Sequence, residues 1–218
     1  MSTNQPQSYP ILRKLPGSAI SSGPLFDICM AVNDAIRTPE GETGFCILAA
    51  AATRDILQAK GWNADVLRVS ATVWPNDPSH HPTVLGWDGD GTRRPAAAPG
   101  KWRGHLVAIA DNRWLLDPTL DQTGRASPMV FEFPDEWLAG DWRSWRPAID
   151  VPIADGWVRY KAFPERGGYK SAPDFRPSHR REMVKDVIDQ LGPSASKAAM
   201  AKSPSSTSPR HDGVAVSA

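Results

Sequence analysis

The chain has 218 residues, and its 25 Lys and Arg nearly balance 24 Asp and Glu, leaving a net charge of +1 with histidines neutral. That balance excludes an overall electrostatic case for nucleic acid or for an anionic membrane surface. Its two cysteines, Cys29 and Cys46, both fall in apolar helical contexts, which argues against a disulfide framework and for a reducing compartment.

The length suits one domain of ordinary size plus a tail. The start of the chain has no apolar stretch of the signal-peptide kind, and the longest apolar run, Phe45 to Ala52, is too short to span a bilayer. The expectation is a soluble cytoplasmic protein. Residues 1–23 read as a polar leader strapped over the surface or partly disordered. A domain over 24–163 follows, then an extension with a helix over 164–192 and a disordered tail over 193–218.

Pro24 to Arg37 predicts an amphipathic helix with Leu25, Ile28, Cys29, Val32 and Ile36 on one face. Ser22 or Gly23 can cap it, and Pro24 suits its first turn. A second helix is predicted from Phe45 to about Lys60, with Thr43 or Gly44 as its cap and Gly61 past its end. Four alanines, Ala49 to Ala52, reduce side-chain bulk on every face and suit a central, buried helix.

Asn63 to Trp74 reads as a strand. Pro75 to Arg103 reads as a long loop, and its position just before His105 favours a lid. Leu106–Ala110 and Trp114–Leu116 predict a hairpin around Asp111-Asn112-Arg113. A three-residue loop sets Val107 opposite Asp117, so that His105 and Asp117 share a face as diagonal neighbours roughly 7–8 Å apart. A two-residue loop would part them. Further strands are predicted at Pro128–Phe133 and Gly156–Phe163, and a charged helix capped by Ser178 runs to Leu191. The basic stretch Arg176 to Arg181 reads as a solvated helix start.

These elements bring three residue types into one chemistry. Cys46 falls in the first turn of a helix, where free amides and the helix dipole stabilise a thiolate. His105 opens a strand and can exchange a proton with the thiol. Asp117 ends the next strand and can orient the imidazole. Gly44 leaves room for a substrate backbone, Trp74 and Trp102 bracket the long loop and could line a cleft, and Gly104 sits at the mouth of the histidine strand; these four are the candidate substrate-binding positions. Each residue has a plain structural role as an alternative, since small cysteines are often buried and an Asp-Pro pair often ends a strand. The order Cys, His, Asp on helix, strand, strand is the stronger signal.

Competing chemistries are weak. A zinc site from His80, His81, His105 and Asp117 lacks helical or Cys-x-x-Cys spacing. Asp88 and Asp90 with their glycines lack the closing Glu of a calcium loop. No metal or cofactor is expected. Most of the nine tryptophans, among them Trp137, Trp142 and Trp145, are expected to pack the core or its rim.

The blocks Gly104-His105-Leu-Val-Ala-Ile and Trp114-Leu-Leu-Asp117-Pro118-Thr119 resemble the second half of the core of transglutaminase-like cysteine enzymes. The resemblance covers roughly residues 43 to 122. It implies an α+β, papain-like or transglutaminase-like fold, with the nucleophile helix packed on an antiparallel sheet. It also implies Cys46 as nucleophile, His105 as general base and acid, and Asp117 as orienting carboxylate. The tryptophan common beside the family's cysteine is replaced by Phe45 and Ile47, and Leu106 and Val107 follow the histidine in place of an aromatic. The implied activity is acyl transfer or hydrolysis at an amide of a peptide or protein, of the peptidase, deamidase or transglutaminase type. The alternative is a non-catalytic peptide- or protein-binding module on the same fold. Neither the oligomeric state nor the choice of water or amine as acceptor is written in the residues.

Overall fold

A computed structural model describes residues 15–16, 18–37, 45–86, 104–134, 148–162 and 168–198. Its helices and strands make an α+β protein. The strands are β1 (Leu15–Pro16), β2 (Ser18–Ile20), β3 (Ala64–Pro75), β4 (Thr83–Leu85), β5 (His105–Ala110), β6 (Trp114–Asp117), β7 (Met129–Glu132), β8 (Ile149–Ile153) and β9 (Gly156–Ala162). The helices among the described residues are α1 (Pro24–Ile36), α2 (Cys46–Ala59) and α3 (Pro177–Leu191).

The strand order is β1-β8-β9-β3-β5-β6-β7-β2, with β4 also on β3, and every pairing is antiparallel except β1 with β8. The two ends of that order, β1 and β2, are consecutive in the chain. One short segment therefore joins opposite edges of the sheet and nearly closes it into a barrel. Residues 15–16 and 18–20, which the sequence reading placed in a polar leader, thus pair as short strands. Their shortness, with Pro16 inside the first and Gly17 between them, hides the pattern, because the pairing partners lie more than a hundred residues away.

Alternation along each strand divides the sheet into two faces. Leu67, Val69, Val107, Leu115, Phe131, Val151 and Val158 fill the barrel side. Ala64, Ala108, Ala110, Leu116 and Val130 face the helices and pack with Leu25, Ile28, Val32, Ile56 and Leu57. Ala49 to Ala52 of α2 are completely buried, and the helix packs against α1, α3 and β5. Small side chains on all its faces let three neighbours approach at once, as the sequence implied.

The C-terminal part departs from expectation in three ways. Helix α3 begins at Pro177 with Arg176 at its cap position and no side-chain cap hydrogen bond, so Ser178 does not cap it. Arg180 is 1% exposed and donates to Asp55 Oδ2 at 2.7 Å, an exception within a helix start whose other residues, 176–179 and 181, are exposed. Residues 193–198 also belong to the fold: Ala195 is buried and Lys197 Nζ meets Asp111 Oδ2 at 2.8 Å. The rest of the expected tail, 199–218, lies outside the described residues. Strand β8 escaped the sequence reading because Asp150 and Pro152 break its apolar pattern. Strand β4, paired to β3 at Ala71–Val73, occupies part of the expected loop, and the remainder at 87–103 is outside the described residues.

Candidate active site

The hairpin loop decides which groups meet. Asp111 and Asn112 both take left-handed backbone, at φ 51° and 54°, a conformation that Asn and Asp tolerate better than other side chains. Arg113 N donates to Ala110 O at 2.9 Å, and Ala110 pairs with Trp114, Ile109 with Leu115 and Ala108 with Leu116. Three residues form the loop, so the register carries Val107 opposite Asp117. His105 and Asp117 share the barrel face, as the odd-numbered loop required. The loop is pinned from outside by Asp111 N donating to Asn63 O at 2.6 Å.

His105 Nε2 lies 2.8 Å from Asp117 Oδ2, and the two residues are 1% and 0% exposed. The bond commits Nε2 to the carboxylate and leaves Nδ1 for another partner. Cys46 also acts on the imidazole, by hydrogen bonding and by charge. Cys46 is the first residue of α2, with Phe45 at the cap position and no side-chain cap hydrogen bond. The first-turn amides of the helix therefore lack the side-chain acceptor that often satisfies them, and they are oriented to favour negative charge. Cys46 Sγ also donates weakly to Gly104 O at 3.9 Å. The structure thus brings Cys46, Gly104, His105 and Asp117 together.

Burial is the largest influence on His105 and works against its charge. The charge and hydrogen bond of Asp117, joined by the hydrogen bond and charge of Cys46, outweigh burial and push the imidazole from its ordinary 6.5 up to about 10. An imidazolium beside Cys46 is therefore the form held at neutral pH. Cys29 contrasts with Cys46. It is fully buried in the middle of α1, donates to Met129 O at 3.6 Å, and burial, aided by the charge of Asp117, raises its thiol well above the usual range.

Asp117 has further partners that the sequence reading missed. Tyr160 Oη donates to the same Oδ2 at 3.0 Å, and Thr119 donates to Oδ1 through its backbone N at 3.2 Å and its Oγ1 at 3.3 Å. Asn33 Nδ2 on α1 donates to Pro118 O at 2.7 Å and to Asp121 Oδ2 at 2.9 Å, bracing the turn after the carboxylate. The alternation of Gly156–Phe163 indicates that Val158 and Tyr160 share a face; it gives no clue to the strand across from them.

Trp74 does not join the site. Val69 is the residue opposite His105, and Trp74 is five positions further along β3, about 16 Å away at strand spacing. Its odd offset also turns it to the other face, where it stacks on Trp157 with ring centroids 5.3 Å apart. Gly44 and Trp102 lie outside the described residues, as do Asp88, Asp90, Trp137, Trp142 and Trp145. Cys46 itself is 8% exposed and belongs to a buried cluster with Ile47, Ala50, Val66, Leu106 and Tyr169, the last from the segment Gly168–Ser171.

Among the described residues no group of three or more His, Cys, Asp or Glu could hold a metal ion. No helix among them is long and apolar enough to cross a membrane. Comparison with protein-family models, with curated proteins and with solved structures finds nothing that matches this chain.

Proposed function

We propose that Cys46, His105 and Asp117 are the triad of a papain-like or transglutaminase-like cysteine enzyme acting on an amide of a peptide or protein. The observation that carries this reading is the buried 2.8 Å bond from His105 Nε2 to Asp117, on an imidazole that a helix-start cysteine also acts on. A helix packed on an antiparallel, nearly closed sheet is compatible with the fold that the motif resemblance implies.

In the proposed reaction Cys46 Sγ attacks the carbonyl carbon while His105 holds the proton. The carbonyl oxygen gains negative charge beside the Cys46 backbone N–H at the start of α2. His105 gives its proton to the leaving nitrogen as the C–N bond breaks, and a thioester remains. Water or a second amine then attacks the thioester, His105 takes a proton from it, and the sulfur leaves as thiolate. Water yields an acid, an amine a new amide. Asp117 keeps the imidazole turned toward the sulfur throughout.

The alternative is a binding module that keeps the fold without turnover, and the near-complete burial of Cys46 favours it. Iodoacetamide labelling at pH 6.5, located by mass spectrometry, separates the two. The enzyme reading expects Cys46 to label at least ten times faster than the same residue in the urea-unfolded chain, with the advantage lost in His105→Ala. Labelling no faster than the unfolded chain, or unchanged by His105→Ala, rejects the triad and leaves the binding module.

A further inference from the structure

Tyr160 stands on β9 and Asp117 on β6, with β3 and β5 between them in the sheet. Three strand spacings in a flat sheet amount to about 14 Å, more than a tyrosine and an aspartate can bridge. The 3.0 Å bond from Tyr160 Oη to Asp117 Oδ2 therefore crosses the inside of the curled sheet and joins two of its walls. Tyr160 is 1% exposed, and its ring lies 5.2 Å from that of Phe131 on β7, so its hydroxyl has little freedom to turn elsewhere.

We propose that Tyr160 is a positioning residue of this site, its hydroxyl sharing Asp117 Oδ2 with His105 and so setting how firmly the carboxylate holds the imidazole. The inference rests on the triad reading and extends it to a third strand. With Tyr160 and His105 on Oδ2, and both Thr119 donors on Oδ1, each carboxylate oxygen carries two donors and the group cannot rotate. Tyr160 also takes part of the negative charge that would otherwise act on the imidazolium alone. Burial, followed by the charge and hydrogen bond of Asp117, raises the Tyr160 hydroxyl well above its usual range, so it remains a donor wherever the protein is folded.

Among the described residues, the groups that act within this cluster are Cys46 from α2, Asp117 from β6 and Tyr160 from β9, with Cys29 of α1 and Asp121 of the turn after β6. Removing only the hydroxyl leaves Oδ2 to His105, so the imidazolium is held more tightly.

The test is Tyr160→Phe in the full chain, followed by nitrogen-15 and proton NMR of the histidine rings. The expected result is a downfield move of the His105 Nε2–H proton and a rise of about half to one unit in its titration midpoint. A Nε2–H resonance and midpoint identical to wild type overturn the proposal. Cys46 alkylation at pH 7 supplies a second reading. Tyr160→Phe changes the rate in the wild-type background and leaves it unchanged in Asp117→Asn, because its effect passes through that carboxylate. Equal effects in both backgrounds mean a packing role only and refute it. Should Tyr160→Phe not fold, the wild-type chain still decides: two protons bonded to one oxygen must show a mutual Overhauser effect, and its absence refutes the shared acceptor. Failure of the triad itself appears separately, as alkylation indifferent to His105→Ala.

Discussion

Asp117→Asn removes the carboxylate charge with almost no change in volume, and its consequence for stability follows from His105. In the folded protein the imidazole is raised from 6.5 to about 10, which corresponds to about 5 kcal/mol of preference for the protonated form. A raised value stabilises the fold in full below pH 6.5 and is lost as pH climbs through about 10. In the variant only burial and the weaker influence of Cys46 act on the ring, so this contribution disappears. The wild-type chain should therefore exceed Asp117→Asn by about 5 kcal/mol near pH 6, and the gap should shrink by about 1.4 kcal/mol per pH unit up to about pH 10. Urea unfolding at pH 6, 8 and 10, followed by tryptophan fluorescence, measures the gap. Other titrating groups are common to both proteins and largely cancel in the difference. A gap that stays constant across this range refutes a charge-based bond between His105 and Asp117 and reduces Asp117 to a hydrogen-bonding residue of the turn.

Three other substitutions probe the frame around the site. Gly86 has φ 78°, and a Cβ there would stand 2.8 Å from His105 N and 2.9 Å from Val69 O; Gly86→Ala should cost about 1–3 kcal/mol by thermal unfolding and slow Cys46 alkylation, whereas unchanged stability and labelling would show that β4 is free to shift. Asp55→Ala removes the carboxylate facing the buried Arg180 and should cost about 3–5 kcal/mol, a loss that Asp55→Glu partly restores; urea unfolding within about 0.5 kcal/mol of wild type would show that the Phe175 carbonyl alone satisfies the guanidinium. Tyr169→Ala takes away a ring packed with Cys46 and should lower stability by about 3–5 kcal/mol while raising the rate of Cys46 alkylation; a rate that falls would mean that Tyr169 orders the thiol rather than covering it.

Local pattern alone carried much of this architecture. Spacing at three and four residues marks α1, because its buried side chains must recur with the helical period. The run of alanines marks α2 as the central helix for the same kind of reason. Asp111-Asn112-Arg113 between two apolar runs marks a hairpin. Because side chains alternate strictly along a strand, the sequence reduced the meeting of His105 and Asp117 to the parity of that loop, and the three-residue loop of the structure decided it. Cys46 was readable as a helix-start thiol because helix ends leave amides exposed over a distance of one turn.

What the sequence could not carry is whatever depends on contacts between distant segments. Nothing in Leu15–Ile20 states that it joins two sheet edges, because an edge strand is defined by its partners. Trp74 looked like a cleft residue from its place beside a loop, yet register turned it to the opposite face. Arg180 sits in a run of basic residues and was buried only by the docking of α3 on α2, which brought Asp55 to it across 125 positions. Tyr160 reaches Asp117 because the sheet curls, and curvature is a property of the whole sheet. Hydrophobic period and turn chemistry act over a few residues and are written in the chain; closure of the barrel and the meeting of charges inside it arise only when all the strands are in place.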